Sequence, residues 1–347
     1  MDKIENVNSF KDFIALYKNS VYNRITDYMT GIEPEAYIGM VRCYIDRKGQ
    51  YRRPSYVLLW NLLYGGKFDD ALLPAASQQV SEDWLLMIDD WMDDNDLRRG
   101  GKSAHLIYGD RYAINAASNL QSINWKIVYD ACKQLGDPRQ KRYFDKFYDI
   151  INVTHQGQYR DVHLTRDVKD ITKFTKEDYY ESIHAKSAYY SVYGPMQQGA
   201  IIAGAPEEVI NQIKEYGTPA GLAFQIKDDI LDCTSTPEQL GKSIGTDVRD
   251  GVKTVILWSA VQNASSTTLN KMKDIYMKDP NQKTKEDISY ILDKFNELGS
   301  IDYAEKEMKA LIEKSIDNFN KYTTNIQESN IKDLAREGIG YVSNRKN

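Results

Sequence analysis

The chain contains 347 residues, of which 41% are hydrophobic and 27% are charged, with a formal net charge of −5 at pH 7. This composition is ordinary for a soluble globular protein, and its net negative charge excludes a general attraction for nucleic acid or an anionic membrane surface. No apolar run approaches the roughly 20 residues that a membrane-spanning helix needs, and the first residues lack the apolar stretch of a signal peptide. The 3 cysteines are widely spaced and fit neither a disulfide framework nor a zinc site, so we expect a cytoplasmic protein.

Apolar residues recur at helical spacing from the start of the chain. From Phe10 to Ile25 they are separated by three and four residues, which is typical of one face of an amphipathic helix. The nearly continuous apolar stretch at 55–64 follows Pro54 and predicts a buried helix that begins near this proline.

The second half of the chain also favours helices. No proline lies between Pro138 and Pro195, which leaves room for long helices, and apolar faces recur at 288–295 and 308–319. The most polar connection, residues 278–287, predicts an exposed loop.

Two absences bear on the fold class. No run alternates with a period of two between turn signals, so we expect no sheet. No Gly/Ser-rich linker or low-complexity tract marks a domain boundary. We therefore predict one all-α domain over residues 1–347.

An acidic motif, Asp-Asp-x-x-Asp, occurs twice in the chain. Residues four apart on a helix lie one turn apart on one face, so each motif would present carboxylates from two successive turns. If the two helices face each other, the carboxylates line one cleft and repel unless cations bridge them. Mg²⁺ suits such ligands and completes its shell with water and substrate phosphates, so the motifs predict a phosphorylated substrate. The motif residues are Asp89, Asp90 and Asp93, then Asp228, Asp229 and Asp232.

The surroundings of the first motif bear on its role. Aspartates crowd residues 89–96, and Arg98, Arg99 and Lys102 follow at once. One interpretation is a solvated, charged helix end. The apolar residues 84–88 directly before the aspartates favour instead a pocket with an apolar wall and a polar rim.

The second motif has a similar context. It lies in an amphipathic pattern at 224–232 and is followed by a basic, glycine-bearing stretch at 241–254. Carboxylates that hold Mg²⁺, together with Arg and Lys side chains that bind phosphate oxygens, are what diphosphate chemistry requires.

With these motifs the chain resembles the trans-isoprenyl diphosphate synthases, the family that includes farnesyl and geranylgeranyl diphosphate synthases. The resemblance runs from about Gly49 to Lys253. Besides the aspartate motifs it includes GQYRRP at 49–54, LRRG at 97–100, GQYRD at 157–161, KSAYYSVYGP at 186–195, FQIKDD at 224–229 and GTD at 245–247. The C-terminal YVSNRKN, from Tyr341, resembles the basic tail that closes the site in this family.

The resemblance implies a fold, cofactors and partners. The fold would be that of the isoprenoid synthases, with antiparallel helices around a central substrate cavity, usually in a homodimer. The cofactors would be three Mg²⁺ ions per active site, with Mn²⁺ able to substitute. The substrates would be isopentenyl diphosphate and an allylic diphosphate.

The resemblance also assigns roles to individual residues. Metal ions would be bridged to the allylic diphosphate by Asp89, Asp93, Asp161 and Asp228, with Asp90, Asp229 and Asp232 binding metal directly or supporting these ligands. The allylic diphosphate would be bound by Arg98, Lys186, Lys242 and Lys253, and isopentenyl diphosphate would lie against Gln50, Arg53, Glu82 and Arg99. Near the reacting carbon would lie Lys186, Ser187, Tyr190 and Gln225, the last three of which could also be ordinary packing residues.

The implied reaction is an ionisation followed by addition. The allylic C–O bond breaks as Mg²⁺ and basic residues stabilise the departing diphosphate. The double bond of isopentenyl diphosphate attacks the allylic cation, and loss of a proton leaves a chain one isoprene unit longer.

Three positions depart from the family pattern. Gln50 stands where the family usually has Lys, and Glu82 stands where it usually has His or Gln. Val252 replaces the usual Lys of a Gly-Lys pair, with Lys253 one place later. The first two changes should weaken isopentenyl diphosphate binding unless Lys48 or Arg52 compensates.

Product length in this family depends on bulk just before the first motif. Trp84 lies five residues before Asp89, and Leu85 lies four before it. A large indole at that place would cap the substrate tunnel and exclude long-chain products, unless it only fills the core. The pattern resembles that of short-chain enzymes that make geranylgeranyl diphosphate, with farnesyl diphosphate as the next choice.

Two other functions remain open from the sequence. A class I terpene cyclase or an irregular prenyl-coupling enzyme would share the helical fold and the ionisation step, but cyclases typically lack a full second Asp-Asp-x-x-Asp. A regulatory subunit of a heteromeric synthase would usually carry damaged aspartate motifs, and both are intact here.

Overall fold

The computed structural model describes residues 4, 7–235 and 244–341. The chain divides into two compact units. Unit 1 comprises Met1–Tyr148, Gly194–Ile213 and Tyr322–Gly338, and unit 2 comprises Asp149–Tyr193, Lys214–Lys321 and Ile339–Asn347. The single domain that we predicted over residues 1–347 stays a prediction.

Helices dominate the described residues, which confirms the all-α class. In chain order the α-helices are Phe10–Thr26, Glu35–Val41, Arg52–Leu63, Phe68–Met92, Ala104–Tyr108, Asp110–Leu135, Arg139–Val162, Lys176–Ile183, Gly194–Ile202, Glu207–Thr234, Thr246–Asp250, Val255–Asn263, Ser266–Met277, Lys285–Glu297, Ser300–Tyr322 and Asn330–Gly340. Two π-helical segments, His163–Asp167 and His184–Tyr193, and a 3₁₀ helix, Pro280–Gln282, complete the helical part. Among the described helices, none has both the length and the apolar character that crossing a bilayer requires.

The N-terminal helices of unit 1 follow the predicted apolar faces. In Phe10–Thr26 the residues Phe10, Phe13 and Ile25 are fully buried, and Ser9 caps the helix by accepting a hydrogen bond from the Asp12 N–H at 3.1 Å. The predicted helix near Pro54 is Arg52–Leu63, most of which is buried.

A short β-hairpin follows the first aspartate motif in unit 1, although we expected no sheet. Strand Leu97–Arg98 pairs antiparallel with strand Gly101–Lys102. Arg99 and Gly100 form the turn with φ values of 51° and 76°, as a type I′ hairpin requires. Strands of two residues are too short to show an alternation of apolar and polar residues, so this pattern could not predict them.

Unit 2 has its own apolar core. Its members include Phe224, Ile230, Val255, Ile291 and Met308. These residues come from four helices, including Lys285–Glu297 and Ser300–Tyr322, which confirms the helical faces predicted at 288–295 and 308–319.

Only part of the connection at 278–287, which we predicted to be an exposed loop, is a loop. It contains the 3₁₀ helix Pro280–Gln282, and the next helix already begins at Lys285. Lys283 is buried there, and its contacts are part of the candidate site.

Candidate active site

The first aspartate motif ends the long helix Phe68–Met92, called the first-motif helix below. The Asp93 N–H donates to the Asp89 carbonyl at 2.9 Å, and the Asn95 N–H reaches back to the Asp90 carbonyl at 2.9 Å. Asp94 has a φ of 51°, so the helix stops inside the motif with a left-handed residue. The last turn carries no basic residue, although a helix C-terminus bears partial negative charge. This end of the helix therefore favours a cation.

Asp90 is fully buried and hydrogen-bonded within unit 1. Its carboxylate accepts from the Tyr44 hydroxyl at 2.7 Å, from Asn95 Nδ2 at 3.2 Å and from Arg98 Nε at 2.9 Å. Arg98 Nη2 also donates to Asp90 and lies 3.9 Å from Asp89. Burial alone would lower the pKa of Arg98, but the hydrogen bond to Asp90 and the negative charges of Asp90 and Asp89 together raise that pKa. Asp90 thus fixes Arg98, while Asp89 and Asp93 are partly exposed.

Arg99, the other arginine of the hairpin, binds two buried carboxylates. Its Nη1 lies 2.6 Å from Asp83 Oδ1, and its Nη2 lies 3.2 Å from Glu82 Oε1. Glu82 Oε1 also lies 3.1 Å from Arg53 Nη1. Burial opposes ionisation of Glu82, but Arg53, Arg99 and Arg52 together lower its pKa to about 2. Glu82 is therefore charged and occupied by the two arginines that were predicted to bind isopentenyl diphosphate.

Asp83, beside Glu82, is less readily ionised. Burial raises its pKa to about 6, the Arg99 charge opposes that rise, and the Glu82 charge adds to it. Gln79 donates a hydrogen bond of 3.2 Å to the same carboxylate oxygen that Arg99 binds.

The GQYRRP segment packs directly against the hairpin. A Cβ at Gly49 would lie 2.5 Å from Arg99 Nη2, so Gly49 allows the Arg99 guanidinium, which two acids hold, to lie against the backbone. Arg47 donates to the carbonyls of Arg98 and Lys102, both at 2.9 Å, and so holds both strands of the hairpin against the segment before Gly49. Gln50 is exposed.

The second aspartate motif ends the helix Glu207–Thr234, called the second-motif helix below, again without a basic residue in the last turn. Asp229 is buried and accepts from the Tyr179 hydroxyl at 2.7 Å and from Gln225 Nε2 at 2.9 Å. Burial raises the pKa of Asp229 to about 7, Gln225 and Tyr179 oppose the rise, and the Asp228 charge adds to it.

Asp232 supports the chain that follows the second motif. It is buried and accepts from Thr246 Oγ1 at 2.5 Å and from the Asp247 N–H at 3.0 Å. Both donors belong to the GTD segment, so Asp232 fixes that segment to the motif. Asp228, the first aspartate, is partly exposed.

Lys186 and Asp161 form an ion pair in unit 2, with Nζ 2.7 Å from Oδ2. Lys186 belongs to the π-helical segment His184–Tyr193, which two glycines allow to approach its neighbours closely. A Cβ at Gly157 would lie 2.2 Å from the Lys186 nitrogen, and one at Gly221 would lie 2.5 Å from the Ala188 Cα.

The same π-helical segment carries two further predicted residues. Ser187 Oγ donates to Gln225 Oε1 at 2.8 Å, so a chain of hydrogen bonds runs from Ser187 through Gln225 to Asp229. Tyr190 is buried in the same segment. π-Helical segments are frequent at functional sites.

Two buried lysines donate to backbone carbonyls of residues 248–251, directly after the GTD segment. Lys253 Nζ donates to the Gly251 carbonyl at 2.7 Å, and Lys283 Nζ donates to the Val248 and Arg249 carbonyls at 2.8 and 2.9 Å. Burial lowers the pKa of each lysine to about 8, and the Lys283 charge contributes to the shift at Lys253. Lys242, also predicted to bind diphosphate, and the tail after Tyr341 lie outside the described residues.

The chain-length residues differ in burial. Trp84 is 1% exposed, whereas Leu85 on the same helix is partly exposed. The burial of Trp84 agrees with a wall residue and with core packing alike, so its role stays a prediction.

Several residues with contacts in the site were not predicted from the sequence. Tyr44, Tyr179, Asp83 and Lys283 all make buried polar contacts there. Asp83 directly follows the predicted residue Glu82, and this position was a signal in the sequence. The partners of the other three residues are distant in the sequence, so no local pattern marks them.

Comparison with known proteins agrees with this geometry. A family model described as polyprenyl synthetase matches residues 34–294. The short chain isoprenyl diphosphate synthase of Methanothermobacter thermautotrophicus is 31% identical over 265 residues, which cover 76% of this chain and 79% of that protein. The geranylfarnesyl diphosphate synthase of Aeropyrum pernix is 30% identical over 325 residues, which cover 92% of this chain and 98% of that protein.

A solved structure extends the comparison to the fold. The geranylgeranyl pyrophosphate synthetase of Pyrococcus horikoshii is 27% identical, with a TM-score of 0.84 over 97% of this chain and 99% of that one. This similarity confirms the predicted isoprenoid synthase fold. The chain belongs to the polyprenyl synthetase family and is a prenyl diphosphate synthase.

Proposed function

We propose that this enzyme condenses isopentenyl diphosphate with allylic diphosphates to form geranylgeranyl or farnesyl diphosphate, with Mg²⁺ as its cofactor. The observation that carries the proposal is the matched construction of the two aspartate motifs. Each ends a long helix whose last turn has no basic residue. In each, a tyrosine and a side-chain amide donate to the middle aspartate, while the first aspartate stays partly exposed.

The available carboxylates fit Mg²⁺. No group of three or more His, Cys, Asp or Glu side chains within the described residues could hold an ion by itself. Mg²⁺ does not need such a cage, because it binds one or two carboxylates and takes its other ligands from water and substrate phosphates. As the family resemblance implies, Asp89, Asp93, Asp161 and Asp228 would hold the three expected ions. The bound ions would neutralise the charge that develops on the leaving diphosphate.

Basic side chains would bind the same diphosphate. Arg98 and Lys186 are each held by an aspartate, Asp90 and Asp161 respectively, and guanidinium and ammonium groups are strong donors to phosphate oxygens. Lys253 and Lys242 complete the proposed set.

The hydrogen-bonded chain from Ser187 to Asp229 would serve the cationic step. Gln225 donates to Asp229 and accepts from Ser187, so both ends of its amide are fixed. Fixed hydroxyl and amide dipoles, together with Tyr190 nearby in the sequence, would stabilise the allylic cation without forming a covalent bond to it.

We also propose that the product is short because Trp84 limits the tunnel. Trp84 is 1% exposed on the first-motif helix, which supports a rigid wall at this place. The named relatives make geranylgeranyl and geranylfarnesyl diphosphates, which lie near the proposed length.

A cytoplasmic homodimer belongs to the same proposal. All three cysteines are free thiols, as in a reducing compartment. Unit 1 exposes large apolar side chains that a partner would cover, and these are Leu106, Ile107, Tyr112, Tyr129 and Phe144. Light scattering of the purified protein would measure the dimer, and a monomer would contradict it.

The test of the function is a product assay by mass spectrometry. Purified protein and Mg²⁺ are given isopentenyl diphosphate with dimethylallyl, geranyl or farnesyl diphosphate in turn. We expect discrete C15 or C20 diphosphates that disappear when EDTA removes the metal. The matched variants are Asp89→Asn, which should lose turnover, and the exposed Asp94→Asn, which should retain it.

One observation favours a second candidate function. Glu82 occupies both Arg53 and Arg99, which were predicted to bind isopentenyl diphosphate. A terpene cyclase or irregular coupling enzyme would consume the allylic diphosphate without incorporating isopentenyl diphosphate. The same assay would detect that result, and no turnover at all would support a regulatory subunit.

A further inference from the structure

Two lysines of unit 1 lie beside the GQYRRP segment. Lys18, on the helix Phe10–Thr26, donates from Nζ to the Lys48 carbonyl at 3.3 Å and lies 5.3 Å from the ring centroid of Tyr51. Lys48 Nζ lies 4.1 Å from the ring centroid of Tyr22 and 3.5 Å from Asn19 Oδ1. Within the described part of the chain, no carboxylate forms an ion pair with either lysine.

The arginines of this region are in a different situation. Arg53 binds Glu82, and Arg99 binds both Glu82 and Asp83. The charges of Arg53 and Arg99 are balanced by those of Glu82 and Asp83 when both acids are ionised. Arg52, whose charge also lowers the pKa of Glu82, and the two lysines must therefore supply the positive charge that attracts a diphosphate.

Lys18 lies beside this cluster, because its Nζ contacts the Lys48 carbonyl at 3.3 Å and the next residue, Gly49, lies against the Arg99 guanidinium. Burial lowers its pKa, and the positive charges of Lys48 and Arg99 lower it further. Three cations are therefore near one another, which is an arrangement that an anion would stabilise.

The backbone between them is also unusual. Lys48 and Tyr51 have φ values of 46° and 57°, left-handed conformations that cost energy in residues other than glycine. Such strain tends to occur at functional sites. The strained residues flank Gln50, the position where related synthases usually have a lysine.

We infer that Lys18 replaces the missing lysine at Gln50 and binds the diphosphate of isopentenyl diphosphate together with Arg53 and Arg99. The ammonium group of Lys18 would donate to phosphate oxygens from the neighbouring helix rather than from the GQYRRP segment. Lys48 is the weaker candidate because its ammonium group lies over Tyr22. The inference rests on the proposed function.

Calorimetric titration with isopentenyl diphosphate tests the inference without requiring turnover. Lys18→Gln should weaken binding by roughly tenfold or more, because a charged contact to phosphate is lost. Lys11→Gln is the matched control, since Lys11 is an exposed lysine two turns earlier on the same helix. In the steady state, Lys18→Gln should raise KM for isopentenyl diphosphate and leave KM for the allylic substrate unchanged.

A rescue variant separates ligand binding from a structural role. Adding Gln50→Lys to Lys18→Gln should restore most of the affinity, because it returns the cation to the usual place. If Lys18 only supports the Lys48 carbonyl, Gln50→Lys cannot restore that hydrogen bond, and the absence of rescue would overturn the inference. Unfolding midpoints of all variants show whether each is folded.

The outcomes also distinguish the inference from the proposed function. Unchanged binding by Lys18→Gln, in a wild-type enzyme that binds and incorporates isopentenyl diphosphate, would overturn the inference alone. A wild-type protein that neither binds nor incorporates isopentenyl diphosphate would overturn the proposed function, and the inference with it.

Discussion

Asp90 and Asp229 hold equivalent places in the two motifs but differ in their electrostatic surroundings. Each is buried and accepts a hydrogen bond of 2.7 Å from a tyrosine hydroxyl. Asp90 also binds the Arg98 guanidinium, whereas the donors described for Asp229, Tyr179 and Gln225, are neutral. One middle aspartate therefore fixes a cation, and the other fixes the polar chain to Ser187.

This difference leads to a prediction for the first motif. Asp90→Asn leaves Arg98 without its full counter-charge and should lower the free energy of unfolding by about 2 kcal/mol. Asp89→Asn should change the free energy of unfolding little but lower turnover by roughly 100-fold, because it removes a proposed metal ligand. Urea unfolding and product assays of both variants, with Asp94→Asn as the control, measure the two effects. Equal effects of Asp89→Asn and Asp90→Asn on both quantities would contradict the division of roles.

A second prediction concerns pH and Lys283. Burial lowers its pKa from 10.5 to about 8, so its charged form is destabilised in the folded state. That cost is fully present below about pH 8 and is relieved as pH rises toward 10.5. Relative to Lys283→Met, the wild type should therefore gain about 2 kcal/mol of stability between pH 7 and about pH 9.5.

Urea unfolding of both proteins at the two pH values measures this gain. The comparison removes the pH dependence that the two proteins share. A difference in unfolding free energy that stays constant with pH would show that Lys283 titrates normally.

At the scale of elements, close contacts at glycines position the site. Gly49 admits the Arg99 guanidinium in unit 1, and Gly157 and Gly221 admit the π-helical segment in unit 2. Each of these glycines lies where a Cβ would come within 2.5 Å of another atom. A side chain would displace the Arg99 guanidinium at Gly49, and the backbone of the π-helical segment at Gly157 and Gly221. That segment carries Lys186 and Ser187.

Gly157→Ala should therefore impair the enzyme without touching a polar side chain. Its Cβ would meet backbone atoms of Ala185 and Lys186, so the π-helical segment must shift and Lys186 must move relative to Asp161. We expect a lower melting temperature and at least tenfold lower turnover. Gly39→Ala is the control, because its Cβ would meet only Tyr108 Oη, at 4.0 Å. Normal turnover by Gly157→Ala would show that the close contact is not needed for positioning.

At the scale of the whole molecule, the sequence predicted the helical class and the two motif helices, since these depend on local periodicity. The resemblance assigned Asp161 and Lys186 to one site, and the structure pairs them at 2.7 Å, while their roles in binding metal and diphosphate stay predictions. The sequence could not predict the donors to the middle aspartates. Tyr44 and Tyr179 reach Asp90 and Asp229 across 46 and 50 residues, and nothing local marks such pairings.

The length of the prenyl product depends on the depth of the substrate tunnel, and we expect Trp84 to limit that depth. Trp84→Ala should lengthen the product if the indole closes the tunnel, because the vacated volume admits further isoprene units. Trp60→Ala is the control, since Trp60 is equally buried in another helix of unit 1. Mass spectrometry of the products distinguishes the alternatives, and an unchanged spectrum for Trp84→Ala would make Trp84 a core residue only.

The hairpin turn at Arg99 and Gly100 has a consequence for recombining this enzyme with its relatives. It directs adjacent arginines to different acids, Arg98 to Asp90 and Arg99 to Asp83 and Glu82. A chimera with a crossover between Asp90 and Arg98 would take the acids from one parent and the bases from the other. Segment exchange should therefore transfer residues 82–102 as one block, because a cut inside it separates the members of these ion pairs.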